Sequence, residues 1–163
     1  MKKIAAVLLA VILVLSLCAC GGGGNENTSV SNKRTVITMN DFVAKAKELG
    51  YESTKYTYPT YGNVRQKEEA QFELGSSYIG FILFETPEAA KRWYTNWYNE
   101  SGDPKKGAKN IEKGSGENWS SLYSENAGGF SYYSLIDDTV VTINGRNMED
   151  KDKALDFVKG LGY

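Results

Sequence analysis

Three short apolar runs joined by tight turns constrain this chain more than any other feature. Asn118–Ser124, Phe130–Ile136 and Thr139–Asn144 each have strand length, and Ala127-Gly128-Gly129 and Asp137-Asp138 leave room only for hairpins between them. Strands closed by such turns must pair antiparallel, because a parallel return needs a crossover of about a dozen residues. Upstream, Ala70, Phe72 and Leu74 alternate with Gln71 and Glu73, the two-residue period of a half-buried strand. The Gly75-Ser76-Ser77 turn then leads into Tyr78–Phe84, apolar enough for the middle of a sheet. Thr35-Val36-Ile37-Thr38 and residues 52–58, ended by Pro59, read as further strands.

Helix signals punctuate these strands. Thr38 or Asn40 can cap a helix over Asp41–Leu49, with Phe42, Val43, Ala46 and Leu49 on one face and Gly50 suited to a left-handed stop. Thr86-Pro87 places a capping hydroxyl before a proline at the first helical position, and that helix should reach about Asn99. Residues 101–117 read as a long polar loop. Asn147, with Asp150 three residues on, resembles a capping box for a last helix whose apolar face is Ala154, Leu155, Val158 and Leu161. The ends of the domain echo each other: Thr35–Thr38 precedes a helix ending Leu49-Gly50-Tyr51, and Thr139–Thr142 precedes one ending Leu161-Gly162-Tyr163. Two units independently obeying the same capping rules explain this better than a duplication does. The expected fold is α+β in two layers: a mostly antiparallel sheet of five or six strands, with three helices packed mainly on one face.

The N-terminus carries a separate message. Lys2 and Lys3 precede an apolar core from Ile4 to Leu17, broken only by Ser16, and Leu17-Cys18-Ala19-Cys20 follows. This is the pattern of a secretory signal peptide ending in a lipoprotein processing box. Ala19 supplies the small residue required before the cut, so residues 1–19 are expected to be removed and Cys20 to be the lipid attachment site. Cys18, preceded by Leu17, fits poorly. A spanning helix needs about 20 apolar residues, and four glycines interrupt this segment directly after Cys20. Two acyl chains, at about 0.8 kcal/mol per buried methylene, would anchor the chain stably in the bilayer. Residues 20–34, with their Gly run and polar tail, read as a flexible tether, leaving 35–163 as one globular domain.

Composition closes off several chemistries. Loss of 19 residues from 163 leaves 144, and with Lys2 and Lys3 gone 17 Lys and Arg face 20 Asp and Glu, a net charge of −3. That balance argues against nucleic acid as a partner. The processed chain would keep one cysteine, consumed by lipidation, which leaves no disulfide, thiolate nucleophile or cysteine zinc site. The absence of histidine removes the commonest general base and every His-dependent triad. No cofactor or metal is expected. Asp150, Asp152 and Asp156 lack the glycine and distal glutamate of a calcium loop. Gly114-Ser115-Gly116 is too short for a phosphate loop.

What remains is aromatic surface and carboxylates. The 11 Tyr and 3 Trp include Trp93, Tyr94, Trp97 and Tyr98, which with Ala89 and Ala90 have a helical spacing that reads as core packing. Tyr56, Tyr58 and Tyr61 surround a chain reversal, where polar-tipped rings are often half exposed. Trp119, Tyr132 and Tyr133 belong to the strand meander, and adjacent Tyr132 and Tyr133 must point to opposite faces, one of them exposed. These six form the candidate surface for a sugar ring or a protein partner. Glu68, Glu69 and Glu73 with Asp137 or Asp138 could serve a glycosidic hydrolase. However, Glu69 and Glu73 alternate with the apolar face and should meet water, and the two aspartates suit a hairpin turn.

The Leu17–Cys20 box with its Gly tail, Phe42–Tyr51, Tyr78–Tyr98 and the final Thr139–Asn144 strand with its Leu161-Gly162-Tyr163 helix end together resemble the small cell-envelope lipoproteins of Gram-positive bacteria. Members of that class mostly lack assigned activities. The resemblance implies an extracytoplasmic location and a compact α+β domain, with no catalytic residues to carry over. The resulting expectation is a non-enzymatic, membrane-anchored interaction or ligand-binding module of the cell envelope, meeting an envelope protein or a glycan. The alternatives are a carboxylate-dependent hydrolase of wall polymers and an inhibitory or structural partner of another envelope protein.

Overall fold

Seven strands build one antiparallel sheet in the computed structural model, which describes residues 32–57 and 66–163. The expected signal peptide, Cys20, Tyr58 and Tyr61 lie outside the described residues. The strands are β1 (Thr54–Thr57), β2 (Gln66–Leu74), β3 (Ser77–Phe84), β4 (Lys109–Ser115), β5 (Trp119–Asn126), β6 (Gly129–Ile136) and β7 (Thr139–Gly145). Their spatial order is β1-β2-β3-β7-β6-β5-β4, so the two most apolar strands, β3 and β7, sit at the centre. Among the described residues three α-helices complete the α+β fold: α1 (Met39–Glu48), α2 (Pro87–Ser101) and α3 (Lys151–Gly160). No helix among the described residues is long and apolar enough to cross a membrane.

Strand alternation divides the core in two. Phe72, Ile79, Phe81, Val141 and Ile143 face α1 and α3, where Phe42 meets Phe72, Phe81 and Phe157 at ring separations of 5.7, 5.5 and 5.6 Å. Their strand neighbours Ile82, Val140, Leu122, Tyr133 and Leu135 face the other way, onto Ala89, Ala90 and Tyr94 of α2. Two helices therefore share one face, and α2 occupies the opposite one. A central strand such as β3, apolar on both sides, requires cover on both faces.

The strand count exceeds the expected five or six because β4 lies inside the segment read as a loop. Its sequence, Lys-Asn-Ile-Glu-Lys-Gly-Ser, is polar because the strand is an exposed edge. A bulge between Lys109 and Glu112, together with flanking lysines, keeps such an edge from pairing with another chain. Conversely, residues 35–38 form no strand. The Asn118 side chain holds the residue just before them, accepting from Arg34 N and donating to Arg34 O, both at 2.9 Å. Thr38 then caps α1 in a full capping box with Asp41.

The echo of the domain ends is confined to the helix stops. Gly50 and Gly162 take φ of 84° and 87°, and Tyr51 N and Tyr163 N donate to Ala46 O and Val158 O. The expected Asn147 box does not form at α3. Asp150 is the N-cap residue but makes no side-chain capping bond. Its carboxylate instead accepts from Ser76 N at 2.8 Å and Ser76 Oγ at 3.2 Å, fastening the β2–β3 turn to the start of α3.

Candidate functional site

The apolar face of α2 is wider than the seam it buries. Ala89, Ala90 and Tyr94 sit against the sheet, while the Trp93/Trp97 pair falls on one flank and Tyr98 on the other. On the Trp flank, Gly80 of β3, Thr142 and Asn144 of β7, and Glu69 and Gln71 of β2 lie beyond the part of the sheet packed under α2. A cleft of about 140 Å³ opens there between α2 and the strands.

Trp93, Trp97 and Tyr133 form its aromatic wall. Trp97 stacks on Tyr133 at 6.1 Å and 17°, Trp93 lies 5.8 Å from Trp97, and Phe84 supports Trp93 from behind at 5.9 Å. Trp97 remains 42% exposed, so the stripe read as core packing is core only along its Ala and Tyr94 edge. The floor is Gly80, in the middle of β3. Its backbone is ordinary strand, but a Cβ there would come within 2.9 Å of Thr142 Oγ1 and 3.8 Å of Glu69 Oε1. The hydroxyl and the carboxylate thus converge over a point where the chain has no side chain. Glycine in a strand interior often marks such a close approach.

Polar groups surround the floor. Tyr133 donates its hydroxyl proton to Asn144 Oδ1 at 3.1 Å, and Gln71 Nε2 donates to the Tyr56 hydroxyl at 3.1 Å. Tyr78 closes the rim. Arg146 Nη2 donates to the Tyr78 hydroxyl at 3.2 Å, with the guanidinium 4.8 Å from the ring centre. The Tyr78 phenol is raised above its ordinary value, first by its hydrogen bond with Glu73, against the pull of Arg146.

Among the six residues expected at a binding surface, Tyr133 lines this cleft, and Tyr56 stands outside it, accepting from the lining residue Gln71. Tyr56 is exposed on β1, and Tyr133 is buried within the wall. Trp119 and Tyr132 lie on the opposite face. Trp119 Nε1 donates to Asn32 O at 2.8 Å, and the Arg34 guanidinium covers its ring at 3.6 Å, so this tryptophan holds the start of the domain. Tyr132 is half-buried against the α1/α3 core, so neither member of the Tyr132–Tyr133 pair is exposed.

The carboxylates also separate. Glu68 faces the α1 side, while Glu69 and Glu73 face the α2 side. Asp137 accepts from Asn118 Nδ2 at 2.9 Å in the β6–β7 turn. Glu69 is half-buried at the cleft floor rather than facing open water, because the Gly80 hollow admits it. Sequence pattern assigns Trp97 to core packing and singles out neither Tyr78 nor Gly80; the available signal is Gly80, a lone glycine inside an apolar strand with no turn to make. No group of His, Cys, Asp and Glu among the described residues could hold a metal ion.

No protein-family model matches this chain, and no curated protein matches it. Among solved structures it is similar to a GTP-binding regulator from Thermotoga maritima, with 14% identity over 76% of this chain and 83% of that one and a TM-score of 0.48. A likeness this distant does not bear on the cleft.

Proposed function

We propose that this chain is a lipid-anchored, extracytoplasmic module of the cell envelope that binds rather than reacts, and that its cleft beside α2 receives a sugar ring of an envelope glycan. The anchor rests on the Leu17–Cys20 box. The observation that carries the binding assignment is the half-exposed Trp97 beside a floor where Glu69 Oε1 and Thr142 Oγ1 converge over Gly80. A pyranose presents an apolar C–H face and a rim of hydroxyls, which an aromatic wall and a few fixed polar groups complement.

Hydrolysis is the weaker reading. Glycosidic cleavage needs two carboxylates about 5–10 Å apart across the bond, and Glu69 is the one carboxylate lining the cleft among the described residues.

The test uses the processed chain beginning at Cys20, titrated with soluble fragments of wall polysaccharide while tryptophan fluorescence is followed. Binding that changes the emission, and that Trp97→Ala weakens by about tenfold or more, supports the assignment, since truncating an aromatic anchor typically costs over 1 kcal/mol. Equal affinity of wild type and Trp97→Ala would refute it, as would product release abolished by Glu69→Gln. Membrane fractionation of Cys20→Ser tests the anchor separately: a variant still bound to membranes would remove it.

A further inference from the structure

The other flank of α2 carries a second cavity with the opposite electrical character. It measures about 330 Å³ and lies between the helix and the strands β4 and β5. Lys113, Ser115 and Ser120 line it from the strands, and Tyr94, Tyr98 and Asn99 from the helix, with no carboxylate among the lining residues. In a chain where acids outnumber bases, a cavity lined by one cation and several hydroxyls is a selective place for negative charge.

Two details suggest a site that is already organised. The Lys113 ammonium rests 4.6 Å above the Tyr98 ring, so its position is set before any ligand arrives. Tyr94 is 4% exposed, yet its hydroxyl has no hydrogen-bond partner among the described residues. A buried hydroxyl left without a partner destabilises the free protein and calls for a reason. Burial raises the Tyr94 phenol far above its ordinary value, so the group stays protonated, a donor shielded from water in the free protein.

We infer that the cavity between α2 and β4–β5 is a binding site for an oxyanion carried on a hydroxylated molecule, with Lys113 supplying the charge, the Tyr94 hydroxyl a buried donor, and Ser115 and Ser120 the remaining polar contacts. A carboxylated sugar and a polyol phosphate share this chemistry. The site is separate from the Trp97 cleft and does not depend on it.

The test titrates the processed chain with glucuronate, with glycerol phosphate and with uncharged glucose, following the amide and aromatic resonances of Tyr94, Tyr98 and Lys113. One of the two anions should shift these resonances saturably while glucose leaves them unmoved, and which anion binds identifies the source. Lys113→Gln should weaken that binding by about tenfold or more, as expected for losing a charge-assisted hydrogen bond. Tyr94→Phe should also weaken it, while leaving the melting temperature equal to or above that of the wild type. Trp97→Ala should leave it unchanged. The inference is overturned if neither anion shifts these resonances or if glucose binds equally well. It is also overturned if Tyr94→Phe keeps full affinity or lowers the melting temperature, or if Trp97→Ala costs as much as Lys113→Gln.

Discussion

Gly80→Ala separates the fold from the cleft. On stability alone the change should be close to neutral, because two terms oppose each other. Alanine is favoured over glycine inside a strand by about 0.5–1 kcal/mol, since less backbone freedom is lost on folding. Against this, the new methyl would stand 2.9 Å from Thr142 Oγ1, while Glu69 Oε1 at 3.8 Å and Ala70 O at 3.9 Å are ordinary contacts. Thr142 must turn away, and an off-rotamer side chain costs about 0.5–1.5 kcal/mol. The net effect should stay within about 1 kcal/mol of the wild type, read as the urea midpoint at constant slope. Binding should behave differently. The methyl fills the floor and separates a ligand from Glu69 and Thr142, and losing one hydrogen bond to a charged group, about 1.5–3 kcal/mol, weakens affinity by about tenfold to a hundredfold. A stability loss well beyond 2 kcal/mol would show that the floor is packed rather than open. A stable variant that binds wall polysaccharide like the wild type would show that Gly80 is not beneath the ligand.

Two further outcomes follow from the same geometry. Phe42→Ala should cost about 3–5 kcal/mol in denaturant unfolding, because Phe42 is fully buried among Phe72, Phe81 and Phe157; a loss under 1 kcal/mol would contradict that packing. Asp41 is held below its ordinary value of 3.8, first by the Thr38 hydroxyl and then by the Thr38 backbone N–H. Its contribution to stability is therefore complete above that value and disappears as pH falls through the lower value of the folded state. Asp41→Asn should flatten the acid limb of melting temperature against pH, and an unchanged limb would contradict the capping box.

Local rules were enough for much of the fold. The Thr86-Pro87 helix start, the Gly50 and Gly162 stops and the Asp137-Asp138 hairpin are each decided within a few residues, and the structure has them where the spacing requires. The failures have a common cause. β4 is polar because it is an edge, and whether a segment is an edge depends on where the sheet ends. Residues 35–38 read as a strand but form none: the preceding Arg34 is held by the side chain of Asn118, 84 positions away, and Thr38 is taken up in capping α1. The Asn147 capping box is replaced because Asp150 serves Ser76 across the fold.

The candidate surface divides along the same line. Alternation alone requires Tyr132 and Tyr133 to part company, and they do. Which face would be left partly bare could not be read, because that depends on α2 crossing the sheet from β3 to β4 and covering one half of it. Patterning by itself determined an antiparallel α+β domain, because strand alternation, caps and turns are short-range effects. Only the tertiary arrangement decided that Trp97 stands at a cleft, that Trp119 is a clasp, and that Gly80 faces Glu69 and Thr142, because those relations arise between strands and helices distant in the chain.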